Sequence, residues 1–163
     1  MKYLKITLGI FILLAVSRFI PHPPNFTSLL ALSFYVPAVF GISYIPALVL
    51  SFFITDLIIG FHTLTFFTWG SVILVGFTSK FLYKNLKNRL IGVLVGVFIF
   101  FIVTNFGVWM VGGHGYKYEG LLEIYILAIP FLGNNIISTL IFSLIIEAII
   151  SSKLIKRKLQ KIS

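Results

Sequence analysis

KNLKNRLIGVLVGVFIFFIVTNFGVWMV, residues 84–111, steps from two lysines and an arginine into an apolar run whose one carboxamide is Asn105. About 20 apolar residues cross a bilayer, so residues 90–111 read as a transmembrane helix. Basic residues beside such helices stay on the cytoplasmic side. That rule places Lys80, Lys84, Lys87 and Arg89 inside the cell and the far end of the run outside.

Outward from this cluster lie two more. Lys2 and Lys5 open the chain, and Lys153, Lys156, Arg157, Lys158 and Lys161 close it. Membrane-length apolar runs separate the clusters in even numbers. The spans fall at about 3–20, 26–42, 46–60, 66–83, 90–111 and 131–152. Six spans with both termini cytoplasmic put all three clusters on one face, and no other count does so as economically. The reading is therefore an all-α, polytopic bundle of six transmembrane helices in one domain, residues 1–163.

Local chemistry sets the breaks. Pro21, Pro23 and Pro24 cannot continue a helix, so they end the first span. Pro37 is expected to kink the second, and Pro46 opens the third at a tolerated position. Gly112, Gly113 and Gly115 make the following segment irregular, and residues 119–129 read as a short amphipathic or half-buried helix broken before Pro130.

Composition agrees. Of 163 residues, 59% are hydrophobic and 10% charged, more apolar surface than a soluble domain of this size can hide. The net charge of +9 raises nucleic acid as a partner. The charge sits at helix ends, however, where a lipid bilayer explains it better, so no nucleic acid is expected. With no cysteine there is no disulfide, thiolate metal site or cysteine nucleophile. Lys2, Lys5 and Ala15-Val16-Ser17 imitate a signal peptide; Arg18 follows at once, and the first helix is read as retained.

Sidedness also sorts the remaining polar residues. The outer segments, residues 20–27, 60–66 and 111–130, carry His22, His62 and His114, with Asn25, Tyr116, Tyr118, Glu119 and Glu123. Arg18, Asp56, Asn105, Trp109, Asn134 and Asn135 lie close to the same side. The inner half offers only Glu147 and the basic anchors. An ionisable group at mid-span costs roughly 2.5–3.5 kcal/mol on insertion scales, so Asp56 needs a partner or a wet cavity. Arg18 is the partner within reach. Two readings stand: a structural pair pinning the first and third helices, or a pair that lines a ligand cavity.

Asn105 and Trp109, one turn apart, offer a hydrogen-bonding group beneath an aromatic wall. Trp69 reads as an interface anchor. Asn134 and Asn135 either cap the sixth span or touch ligand. His22 reads as a loop-ordering or gate residue, and His114 sits where a mobile lid is expected. Three histidines on separate loops, without a pair at ligand spacing, do not make a metal site. No phosphate loop, nucleophile elbow or membrane carboxylate relay occurs, so neither an enzyme nor a cofactor is expected.

At Arg18-Phe19-Ile20-Pro21-His22-Pro23-Pro24-Asn25-Phe26-Thr27, Thr55-Asp56-Leu57-Ile58-Ile59-Gly60-Phe61-His62 and Thr104-Asn105-Phe106-Gly107-Val108-Trp109, the chain resembles a family of small bacterial membrane proteins usually described as candidate transport proteins. That family is similar to the substrate-binding (S) components of energy-coupling factor vitamin transporters. The resemblance implies a six-helix bundle in the bacterial cytoplasmic membrane that binds a vitamin or precursor near its outer face. It also implies an energy-coupling ATPase module as partner. The matching positions are Arg18, His22, Asn25, Asp56, His62, Asn105 and Trp109. The alanine-rich docking motif of many S components is not evident on the first helix, where only Gly9 and Ala15 are small.

The function expected is capture of a small, partly aromatic nutrient, neutral or mildly cationic, by Arg18, His22, Asn25, Asp56, His62, Asn105, Trp109, Tyr116 and Asn134. The alternative is an accessory structural subunit of a membrane complex without transport activity. A membrane enzyme or metal-permeating protein stands third.

Overall fold

The computed structural model describes residues 2–112 and 120–152. They form seven α-helices and one 3-10 turn, with no strand among the described residues. In chain order these are α1 (Lys2–Phe19), α2 (Leu29–Phe40), the 3-10 turn (Ile42–Tyr44), α3 (Ile45–Ile59), α4 (Thr65–Leu82), α5 (Leu86–Met110), α6 (Leu121–Leu127) and α7 (Ile129–Ser151).

Helix boundaries follow side-chain chemistry more closely than hydropathy. Asn85 caps α5 by accepting the Asn88 N–H at 2.9 Å, so that helix starts four residues before its apolar run. Lys87 and Arg89 thus belong to its first turn rather than to a loop. The start of α2 moves the other way. Phe26 N–H donates to Pro23 O and Thr27 N–H to Asn25 O, a turn closed by Asn25 at φ 63°. Residues 26–28 therefore stay outside the helix. Gly60, at φ 109°, ends α3 and donates its N–H to Asp56 O at 2.8 Å. Thr65 Oγ1 accepts the His62 N–H and donates to His62 O, pinning the turn into α4. Pro130 falls in the first turn of α7, where its missing N–H is harmless.

Four stretches are long and apolar enough to cross a membrane: Ile42–Ile59, Thr65–Leu82, Leu86–Met110 and Ile129–Ser151. They mark a membrane protein. α1 has 18 residues but carries Lys2, Lys5 and Arg18 among them, and α2 has only 12. α2 is the inner helix, buried from Leu29 to Pro37 and packed against α1, α3, α4, α5 and α7.

Packing around α2 is close because α5 is thin there. A Cβ on Gly92 would lie 2.3 Å from the Phe34 ring, and one on Gly96 would lie 2.8 Å from Val75. Without a hydrophobic driving force in lipid, such small-residue contacts hold helices together by dispersion. The core forms one cluster around Leu14, Leu32, Leu48, Phe52 and Val72, and a second around Phe34, Tyr35, Val75 and Val93. Leu30, Val97 and Phe100 make a third. Buried hydroxyls are mostly self-satisfied: Ser33, Ser51, Thr55, Ser71, Ser79 and Thr104 each donate to a carbonyl one turn back.

Alternating helix directions give the bundle two distinct ends. One gathers residues 20–28, 60–64 and the α6–α7 corner; the other gathers the 3-10 turn, residues 83–85 and the basic residues of the described chain apart from Arg18.

Candidate functional site

A cavity of about 590 Å³ opens at the first of these ends. Pro24 and Asn25 contribute from the α1–α2 loop, and His62 and Leu64 from the α3–α4 turn. Thr68, Thr104, Asn105 and Asn135 supply polar groups from α4, α5 and α7, while Phe100, Phe101 and Phe131 supply rings. No Asp, Glu, Lys or Arg lines it among the described residues. A few placed polar groups in an aromatic wall of this volume is the usual form of a small-molecule site.

Two carboxamides in the cavity have unused capacity. Asn105 donates its amide to Phe101 O at 2.7 Å, and its side-chain oxygen accepts no hydrogen bond among the described residues. Asn135 is 4% exposed, lines the cavity, and its side chain has no hydrogen-bond partner among the described residues. Asn105 is half-buried and Asn135 lines the cavity, so both carboxamides can complete their hydrogen bonds with a molecule held there. His62 Nδ1 accepts the Leu64 N–H at 3.2 Å. Above the cavity, Asn134 Nδ2 donates to Pro24 O at 3.0 Å and clamps the α1–α2 loop onto α7.

Arg18 and Asp56 are not part of that lining. Arg18 Nη1 lies 2.6 Å from Asp56 Oδ1, donates to Thr55 Oγ1, and its guanidinium stacks 4.6 Å from the Phe52 ring centre. Trp69 Nε1 donates to Asp56 Oδ2 at 2.7 Å. Oδ1 is held by the ion contact alone, without in-line hydrogen-bond geometry. Asp56 is fully buried and Arg18 is 13% exposed. The group clasps α1, α3 and α4 together, and it gives Trp69 a partner that an interface anchor does not need.

Residues 2–162 match a family of unknown function (DUF6580). The chain belongs to that family. No curated protein matches it, and no solved structure does. Membership in DUF6580 brings no activity with it, so the chemistry has to come from the side chains.

Of the residues singled out in this DUF6580 member, Asn25, His62 and Asn105 meet in the cavity. His22 is exposed, its Nδ1 2.7 Å from Pro23 O, which orders the loop. Trp109 is 45% exposed and leans on Phe106 with ring centres 5.6 Å apart. Tyr116 lies outside the described residues, as do His114, Lys117, Tyr118 and Glu119.

The opposite end holds a second clasp that the sequence did not announce. Glu147 on α7 accepts Arg89 Nε at 2.5 Å and Arg89 Nη2 at 2.8 Å, a two-point contact, and Tyr35 O–H at 2.7 Å. Arg89 Nη1 also donates to Tyr83 O at 3.1 Å. This group joins α2, α5 and α7. Between it and the cavity lie the packed residues around Phe34, Val93, Val97 and Phe100.

Proposed function

We propose that this protein is the substrate-binding membrane subunit of an uptake system, holding a small, uncharged, partly aromatic nutrient in the cavity. The observation that carries the reading is the pair of unfilled carboxamides, Asn105 and Asn135, facing a cavity of about 590 Å³ without a charged side chain among its described lining residues. A carboxamide offers a donor beside an acceptor, which pairs with an amide, imide or similar ring edge. A carboxylate ligand would meet no Lys or Arg among the described lining residues, and an unpaired buried charge is expensive. The phenylalanine rings supply the apolar contact for a flat ring.

In this reading the cavity faces outward. Lys5, Lys80, Lys84, Lys87 and Arg89 lie toward the other end, and the positive-inside rule makes that end cytoplasmic. α1, α2, α3, α4, α5 and α7 then cross a bacterial cytoplasmic membrane in this reading. α1, about 27 Å long at 1.5 Å per residue, nearly matches the hydrocarbon core. The shorter α2 is sheathed by its neighbours. An energy-coupling ATPase module is the partner that the family resemblance implies.

Thermal-shift and native mass-spectrometric screening of the purified protein tests the assignment. Matched ring pairs such as nicotinamide and nicotinate, together with a vitamin panel, are the probes. Stabilisation by uncharged members, lost in Asn105→Ala and Asn135→Leu, is the expected result. Stabilisation that survives both substitutions would remove the site. Dense, ligand-free packing of the cavity and a stable protein partner on purification would favour the accessory-subunit alternative instead.

A further inference from the structure

α7 turns its polar residues into the bundle and its apolar ones outward, toward lipid. Its buried residues are Asn135, Ser138, Thr139 and Ser143, while its exposed positions include Ile137, Ile141, Leu144 and Ile145. Asn135, Thr139, Ser143 and Glu147 follow at intervals of four, so they form one ridge along the helix. The ridge runs about 18 Å at 1.5 Å per residue, from the cavity lining to the Arg89 clasp.

Small hydroxyl residues are common where membrane helices meet, and they ordinarily donate to a carbonyl one turn back. Ser33, Ser51, Ser71, Ser79 and Thr104 do so here. Thr139 and Ser143 do not. Both are fully buried, and neither Oγ has a hydrogen-bond partner among the described residues. Each unmet hydroxyl weakens the closed packing of α7 on α2 and α5. Water would satisfy the same groups if that interface parted. The clasp at the basic end, with Leu132, Ile136 and Ile146 packed on the core, holds that face shut.

We propose that the buried ridge of α7 is one wall of an aqueous path that opens between the cavity and the Arg89–Glu147 clasp in a second conformation. The ligand, an uncharged polar molecule, passes through this chain itself. The proposal rests on the cavity being the ligand site and adds the route by which ligand leaves it.

The test uses single cysteines, for which the sequence is suited because it contains none. Thr139→Cys, Ser143→Cys and Asn135→Cys are reconstituted in liposomes and exposed to a positively charged, water-borne methanethiosulfonate. Val72→Cys and Leu48→Cys, in the dry core away from α7, set the background. Cysteines at 139 and 143 should react roughly tenfold or more faster than the background pair, and faster again when Glu147→Gln weakens the clasp. Rates at both positions equal to Val72→Cys, with and without Glu147→Gln, overturn the path. If Asn135→Cys reacts in that case, the path alone falls; if it too is silent, the cavity reading falls with it.

Discussion

Breaking the Arg18–Asp56 clasp should produce an asymmetric loss of stability. Asp56 is fully buried and has the Arg18 guanidinium at 2.6 Å and the Trp69 indole N–H at 2.7 Å. Arg18→Leu strands that carboxylate away from water, and removing one member of a buried pair costs about 3–5 kcal/mol. The upper end applies, because nothing else of positive charge contacts the group among the described residues. Asp56→Leu strands an arginine that is 13% exposed and can turn toward water, so about 3 kcal/mol is expected, including the orphaned indole N–H. The double variant Arg18→Leu/Asp56→Leu leaves only the Trp69 indole N–H unmet, since Thr55 Oγ1 still donates to Phe52 O, a loss of about 2 kcal/mol. The coupling between the two positions should therefore reach about 6 kcal/mol. Reversible unfolding in mixed detergent micelles measures all three variants. Single losses below about 1 kcal/mol, or singles that simply sum to the double, would refute the view of a sealed structural clasp.

Three further outcomes are expected. Gly107→Ala places a Cβ 2.5 Å from the Phe67 ring and should lower stability by about 1–3 kcal/mol in the same assay, whereas Gly133→Ala meets nothing within 4 Å and should be neutral or better. Glu147→Ala should cost about 3–5 kcal/mol by leaving Arg89 and Tyr35 without their acceptor, with much of the loss recovered in Arg89→Leu/Glu147→Leu; equal losses in single and double variants would contradict it. Tyr125→Phe removes the O–H donated to Ile102 O at 2.8 Å, so hydrogen exchange should rise in α6 while the clasp regions stay unchanged; protection of α6 as in the parent would count against that tie.

Much of the bundle was legible because bilayer thickness and basic anchors leave few alternatives. α3, α4 and α7 begin and end within two residues of their apolar runs. The start of α5 was misplaced because hydropathy is blind to a cap: Asn85 followed three residues later by the Asn88 N–H is a helix signal that an apolar count ignores. α2 came out short because the Pro23–Thr27 turn depends on Asn25 in the left-handed region. In the cavity, Asn25, His62 and Asn105 stood out as polar residues in apolar surroundings. Phe100, Phe101 and Phe131 carried no such signal, since phenylalanine in a span usually faces lipid.

The clasps show where a sequence read in line stops. Trp69 meets Asp56 across 13 residues, and Tyr35 meets Glu147 across 112. Nothing local distinguishes Tyr35 from an interface aromatic, or Glu147 from a solvated helix end. Only the packing of α2, α5 and α7 brings acid, base and phenol together. The polar ridge of α7 was hidden for another reason. Ser and Thr are mild in hydropathy, and their missing partners appear only once every neighbour has a position.

A density map of the protein purified from its native membrane, at a resolution that separates side chains, bears most directly on the cavity as a ligand site. Density for a flat, uncharged molecule within hydrogen-bond distance of Asn105 Oδ1 and the Asn135 amide is the expected result. A cavity filled by the protein's own side chains, or a ligand bound instead at Arg18 and Asp56, would contradict it.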